Sequence, residues 1–204
     1  MSIMENIRRR QALAARAPRP VPLSHRPEML YIGCPDARLD PVSDIGIEQG
    51  NALIFRNIGA LVLRENASMG AVLEYFLHHL PPSASRVKHI VVSGHTDCGG
   101  IKACQHGCHE ARDHYLPLYL ESLSPVRARI MEEAKAQKWN DEQTLHALEQ
   151  ESVRHSLGNL ITYPVVAQAV KEGRVELHGW IIDTATKSIA EMNPKTRQFE
   201  PMTG

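Results

Sequence analysis

The sequence predicts an α/β fold. A mostly parallel central β-sheet, four parallel strands plus a short edge strand, is covered by helices and preceded by an N-terminal helical arm. Two observations predict it. Apolar runs of strand length alternate with longer stretches of helical periodicity, the pattern of a parallel sheet whose crossovers are helices. Two of those runs end in glycine and lead straight into chemistry-bearing side chains, at Gly33-Cys34 and Gly94-His95. In open α/β sheets, sites form at the carboxyl ends of strands.

Taken in order, Met4 to Ala17 reads as a helix rich in Arg, Ala and Gln, all good helix formers. Pro18, Pro20 and Pro22 end it in an extended connector. Met29 to Ile32 is a short buried strand, and Leu39 to Gly50 a loop with a short helix. Ala52 to Ile58 is a second strand. Ser68 is expected to cap a helix from Met69 to His79, with Val72, Leu73, Phe76, Leu77 and Leu80 at helical spacing and Pro81-Pro82 as the break. His89 to Val92 is the third strand. Helices follow over Leu116 to Gln137 (interrupted near Ser124-Pro125), Glu142 to Leu157 with Gly158 as the stop, and Pro164 to Lys171 stopped by Gly173. Arg174 to Ile182 is the fourth strand and Ser188 to Ala190 a short fifth. The division expected is an arm and connector over 1–28, one α/β domain over 29–192 and a loose polar tail over 193–204.

The 204 residues suffice for one domain with a real core. Lys+Arg and Asp+Glu both number 23, so the net charge is +0, which argues against nucleic acid or an anionic membrane as a partner. No apolar run approaches the ~20 residues of a membrane helix. Four cysteines are too few for a disulfide scaffold, and the N-terminus lacks a secretory apolar segment. The expected setting is a reducing compartment, the cytoplasm. Arg8, Arg9, Arg10, Arg16 and Arg19 leave organelle import open, but Glu5 and the scarcity of serine favour a surface or interface helix.

Cys34, His95 and Cys98 offer two sulfurs and one nitrogen at two strand ends. Three protein ligands with an open fourth position is the pattern of a catalytic zinc site, with one zinc per chain. Asp36 and Arg38 follow Cys34 at alternate positions, so in an extended segment all three share a face. Two states follow. Asp36 takes the metal as fourth ligand and shuts the site, or Arg38 holds Asp36 in a bidentate pair and leaves the site open. In the open state the metal lowers the pKa of a water. Two thiolates weaken that effect, so activity is expected to rise toward alkaline pH. Read singly, His-x-x-Cys and Cys-x-Asp-x-Arg are weak signals; together at two strand ends they are strong. Cys104, Cys108, His106, His109 and His114 raise the further option of a second metal site.

The chain resembles the β-class carbonic anhydrases. Their pattern of Cys-x-Asp-Ser-Arg and a later His-x-x-Cys-Gly-Gly is met by Cys34-Pro35-Asp36-Ala37-Arg38 and His95-Thr96-Asp97-Cys98-Gly99-Gly100. Phe55-Arg56-Asn57-Ile58, Ser156-Leu157-Gly158-Asn159-Leu160 and His178-Gly179-Trp180 also match, and the second of these looks closest to the plant-like branch. The resemblance implies zinc on Cys34, His95 and Cys98, with Asp36 as the alternative ligand and Asp36–Arg38 as the catalytic dyad. It implies reversible hydration of CO2 to bicarbonate, backbone contact to the anion near Gly99, and a homodimer or higher homo-oligomer with the N-terminal helix across the partner. Four departures stand out. Ala37 replaces the usual Ser, Ala60 a common Asn and His25 a common Gln, and the positions matching a regulatory bicarbonate pocket are Tyr31, Arg56 and Ile182. Only the Arg of that pocket survives, so none is expected. Two other readings of the site are a relative acting on another small linear electrophile, CS2 or COS, and a non-catalytic module that kept the zinc.

Overall fold

A computed structural model of the chain describes residues 2–16, 25–80, 88–107 and 113–202. The arm is helix α1, Ile3–Arg16. Ser2 Oγ accepts from Glu5 N and Glu5 Oε2 from Ser2 N, a reciprocal cap of its first turn. The proline connector lies outside the described residues, as does the Pro81-Pro82 break.

Strand β1 is Met29–Gly33. Helix α2, Pro41–Asp44, is capped by Asp40, whose side chain accepts from Val42 N. Strand β2 is Ala52–Arg56, and Ile58–Ala60 form a 3-10 turn. Helix α3 is Ala67–Glu74, continued by a π-helical turn over Tyr75–His79. Its cap is Asn66, accepting from Met69 N at 2.9 Å, and not the expected Ser68, which already lies inside the first turn. Strand β3 is Lys88–His95, four residues longer than expected, because Lys88 already pairs with Val175 and because Ser93, Gly94 and His95 keep pairing with Trp180, Ile181 and Ile182. Helix α4, Gly99–His106, is an element the sequence did not announce, since two glycines open it.

Helix α5 is Tyr115–Leu120, a 3-10 turn covers Glu121–Leu123, and α6 is Ser124–Gln137, so the expected interruption stands at Ser124. Helix α7, Asp141–Leu160, starts in a capping box of Asn140 and Gln143. It runs through Gly158, the expected stop, because Asn159 and Leu160 beyond it are buried and Asn159 Nδ2 donates to the Val62 carbonyl at 2.7 Å. Helix α8 is Pro164–Lys171, and strands β4, β5 and β6 are Val175–Ile182, Ile189–Met192 and Phe199–Pro201.

The sheet order is β2-β1-β3-β4-β5-β6, the first four parallel and the last two antiparallel. Strand β6 corrects the sequence reading twice: the polar tail is not loose, and the short edge strand is β6 while β5 is internal. Two matched turns build this hairpin. Asp183 Oδ1 accepts from the backbone of Ala185 and Thr186, and Asn193 Oδ1 from that of Lys195 and Thr196. Each turn closes on a basic residue at positive φ, Lys187 or Arg197.

The main core lies on one face of the sheet. Leu30, Ile32, Ile90, Val92 and Ile181 pack there against Leu73 and Phe76 of the α3 region, Val153 and Leu157 of α7 and Val166 of α8. Helices α3, α7 and α8 therefore share this core. The other face carries a smaller cluster of Tyr31, Val91 and Trp180. A third cluster, around Leu61, Ile101, Leu123, Ile130 and Leu148, encloses Cys34 and Cys98. Two glycines permit the approach of elements to that point. A Cβ on Gly94 would meet Val153 at 2.8 Å, and one on Gly100 would meet Ile58 at 2.5 Å.

Candidate metal centre

Parallel pairing of β1 with β3, Gly33 opposite Ser93, brings their carboxyl ends side by side. Cys34 is the first residue past β1 and His95 the last of β3. Cys98 is the N-cap of α4. The ligating atoms of these three buried residues all lie within 4.8 Å of one another, and the two sulfurs are 4.0 Å apart. His95 Nδ1 is 2.9 Å from the Thr96 carbonyl, so Nδ1 carries the proton. That leaves the Nε2 lone pair, buried and without a hydrogen-bond partner. An unpartnered buried imidazole nitrogen facing two thiols is what a metal would satisfy, and two sulfurs with one nitrogen suit zinc.

The thiols are coupled. The neighbouring Cys98 thiol pushes the Cys34 thiol down, against the effect of burial. The neighbouring Cys34 charge and burial push Cys98 up. Two buried thiols this close titrate as a pair, and a metal that holds both as thiolates relieves that coupling.

Asp36 stands outside this ligand cluster. Its Oδ2 is 4.0 Å from His95 Nε2. Arg38 holds it by three bonds: backbone N and Nε to Oδ1, both at 2.9 Å, and Nη2 to Oδ2 at 2.8 Å. Arg38 keeps the Asp36 carboxyl well below the usual range. Of the two arrangements open to this loop, the structure has the one in which Arg38 holds Asp36.

Arg38 is itself held from the far side. Its Nη1 donates to Asp97 Oδ2 at 2.7 Å and its Nη2 to the Asp97 carbonyl at 2.9 Å; Lys102 pairs with the same carboxylate. Asp97 takes a left-handed φ of 59°, which turns the chain between His95 and Cys98. Glu149 of α7 lies beneath, 2% exposed, accepting from Cys98 N at 2.9 Å, and burial pushes its carboxyl up to about 7. Arg56 bonds the carbonyls of Cys34, Asp36 and Leu39 and so pins the loop carrying the first two. The sequence reading missed Asp97, Lys102 and Glu149. Asp97 was within reach, since it lies between two expected ligands; Glu149 was not, because one glutamate on a long helix carries no signal.

The remaining expected residues fall as follows. Gly99 opens α4 beside Cys98, with nothing near the place a Cβ would take. Ala37 and His25 are exposed, and Ala60 is buried at a φ of 54°. Tyr31 and Ile182 are buried, and the guanidinium of Arg56 is engaged by backbone. For the second metal site suggested around Cys104, Cys108 and His109 lie outside the described residues. Among the described residues, Cys104, His106 and His114 do not come together as a ligand group.

The fold and this constellation define a class: an α/β protein with a Cys-His-Cys metal centre at two parallel strand ends and an Asp–Arg pair beside it. A family model described as carbonic anhydrase matches residues 29–189, and the chain belongs to that family. It is 36% identical over 183 residues to carbonic anhydrase 1 of Escherichia coli O157:H7, covering 86% of this chain and 78% of that one. It is 31% identical over 163 residues to beta carbonic anhydrase 3 of Arabidopsis thaliana, covering 76% and 60%. Among solved structures it resembles the tetrameric beta-carbonic anhydrases of Sordaria macrospora, with a TM-score of 0.77, 28% identity and 94% of each chain covered. A bacterial and a plant relative at similar identity fix the family and not a branch within it.

Proposed function

We propose that this chain is a zinc lyase that catalyses reversible hydration of carbon dioxide to bicarbonate and a proton. The observation that carries the reading is the buried, unpartnered His95 Nε2 facing the Cys34 and Cys98 sulfurs, with Asp36 held aside by Arg38. Cys34, His95 and Cys98 would hold one zinc. When bound, the metal would supply Lewis acidity, the chemistry that makes a water nucleophilic.

The chain's own groups do the rest. Asp36, ionised because Arg38 faces it, accepts a hydrogen bond from the attacking water and so aims its lone pair at the carbon of CO2. Arg38 keeps Asp36 from acting as a fourth ligand, and Asp97 and Lys102 keep Arg38 in place. Backbone N–H groups at the start of α4, from Gly99 on, favour the anionic product. Glu149 fixes the Cys98 backbone and thereby the angle at which its sulfur enters the site.

A homodimer or larger homo-oligomer completes the reading. Helix α1 exposes Ile3, Met4, Ile7 and Leu13, an apolar set for a partner copy to cover. The Sordaria macrospora relatives are tetramers. Among the described residues no helix is long and apolar enough to cross a membrane, and a cytoplasmic setting is part of the proposal. Stopped-flow CO2 hydration on protein of measured zinc content tests the activity. Zinc-replete protein that leaves CO2 hydration at the uncatalysed rate would refute it, and turnover of COS or CS2 in its place would select the sulfur substrates.

A further inference from the structure

A second group of ligating atoms lies at the opposite end of the sheet. His89 is the second residue of β3 and stands in register with Glu176 of β4, while His178 of β4 stands opposite Val91. Residues two apart on a strand share a face, so Glu176 and His178 project together beside His89. His89 Nδ1 is 3.1 Å from His178 Nε2. Glu176 Oε2 is 3.7 Å from the first nitrogen and 3.9 Å from the second. A triangle with these sides has a circumradius of about 2.1 Å, so one point lies at metal-bond distance from all three atoms.

The histidine between them is already oriented. His178 Nδ1 bonds Glu191 Oε1 at 2.8 Å, and the Trp180 indole N–H donates to the same oxygen at 3.2 Å. A carboxylate on one ring nitrogen puts the proton there and turns the other nitrogen's lone pair outward, the arrangement that supports metal-bound histidines. At His178 the outward nitrogen faces His89 and Glu176. The side chains of His89, His178 and Glu176 are 35%, 26% and 62% exposed, so an ion reaches them directly from solvent and a water can complete the coordination.

We propose that His89, Glu176 and His178 form a second divalent-metal site, with Glu191 as its positioning residue. Two imidazole nitrogens and one carboxylate select a borderline transition-metal dication, zinc foremost. The site is separate from the first: six residues of strand at ~3.3 Å each put His89 about 20 Å from His95.

The test is equilibrium dialysis of the protein, already holding one zinc per chain, against zinc chloride, with bound metal measured per chain. Wild type takes up a second equivalent. His89→Gln and His178→Gln each stop at one, and Glu191→Gln weakens the second equivalent about 10- to 100-fold. Cys104→Ser leaves uptake unchanged. Zinc also shifts the ring NMR signals of His89 and His178 together, a readout that does not depend on the variants folding. Wild type stopping at one equivalent would mean that His89 merely donates a hydrogen bond to His178, and the proposal falls. It falls equally if the double histidine variant still binds the second zinc, or if Cys104→Ser is the change that removes it.

Discussion

Arg38→Gln is the substitution that separates the metal from its use. Asp36 is poised beside the ligand cluster, with Oδ2 4.0 Å from His95 Nε2. Two ligands on one tetrahedral zinc, each at about 2.0–2.1 Å, sit roughly 3.3–3.4 Å apart. A movement of under about 1 Å therefore turns Asp36 from a neighbour of the site into a member of it. Three bonds from Arg38 resist that movement, and two of them end on guanidinium nitrogens. A glutamine side chain in place of Arg38 cannot reproduce the fork, which meets both carboxylate oxygens at once. Asp36 then closes on the metal, and misplacement of this size costs about 10²-fold in rate.

The assay is stopped-flow CO2 hydration beside zinc analysis, with a cobalt-substituted sample read by absorption. The expected variant keeps full metal content, loses about 10²-fold in kcat, and shows a cobalt spectrum altered by a carboxylate oxygen in place of water. Guanidinium ion added to the buffer restores part of the rate. Unchanged turnover with full zinc would refute the reasoning, and so would a rate lost through loss of zinc, because Arg38 would then be holding the metal site together and not keeping Asp36 off it.

Three other outcomes are expected. Asp36→Asn retains zinc and loses about 10²- to 10⁴-fold in CO2 hydration, the range for a positioned acid–base group; full activity at full occupancy would remove Asp36 from the mechanism. Glu149→Gln keeps the acceptor for Cys98 N but removes a carboxyl that burial raises to about 7. Since the folded pKa lies above the unfolded one, the wild-type chain loses stability as pH rises from about 4.5 to 7, so the variant gains up to about 3 kcal/mol at pH 8 and nothing below pH 4. Urea melts at both pH values check this, and an equal gain at the two rules it out. Lys88, 5% exposed, caps the Tyr75–His79 turn by donating to the Phe76 carbonyl at 2.6 Å and the Leu80 carbonyl at 3.2 Å. Lys88→Met leaves both carbonyls unpaired and costs about 1–3 kcal/mol by denaturant melt, with CO2 hydration unaffected; a neutral melt would show the carbonyls satisfied by water.

What was legible in the sequence was whatever a short stretch could state by itself. Strands β1 to β5 announced themselves as apolar runs, and the ligands as unusual residues: Cys34 and His95 just past glycines, and Cys98 three residues beyond His95. What was missed depended on partners far along the chain or on backbone geometry. Ser68 and Asn66 are equally good caps by type; only the path of the loop decides between them. Gly158 reads as a stop until the burial of Leu160 keeps the helix going. Strand β6 was hidden because it is only three residues long, at an edge, with Phe199 as its one contact to the core, but its turn was not hidden. Asp183-Thr184-Ala185-Thr186-Lys187 and Asn193-Pro194-Lys195-Thr196-Arg197 share an Asx residue at the first place, a threonine at the fourth and a basic residue at the fifth. In both, the first side chain bonds the backbone two and three residues on, and the fifth residue takes positive φ. The first turn joins two predicted strands, so finding its pattern again ten residues later predicts another strand beyond it.

The same contrast explains the site. Cys34, His95 and Cys98 were legible because thiol and imidazole carry their chemistry in their type. The network that sets Arg38 was not, because Asp97 and Lys102 are ordinary charges until α4 turns back over the Cys34–Arg38 loop. That turn requires Gly100, whose missing Cβ lets α4 start against Ile58. The Gly99-Gly100 pair, easily read as punctuation after a metal ligand, is thus part of what keeps Asp36 off the metal. If α4 is pushed outward by Gly100→Ala, Asp97 moves with it and Arg38 loses its second anchor. The variant should then bind zinc normally and show the cobalt spectrum of Arg38→Gln in weaker form. A wild-type spectrum together with wild-type turnover would uncouple the helix start from the Asp36–Arg38 pair.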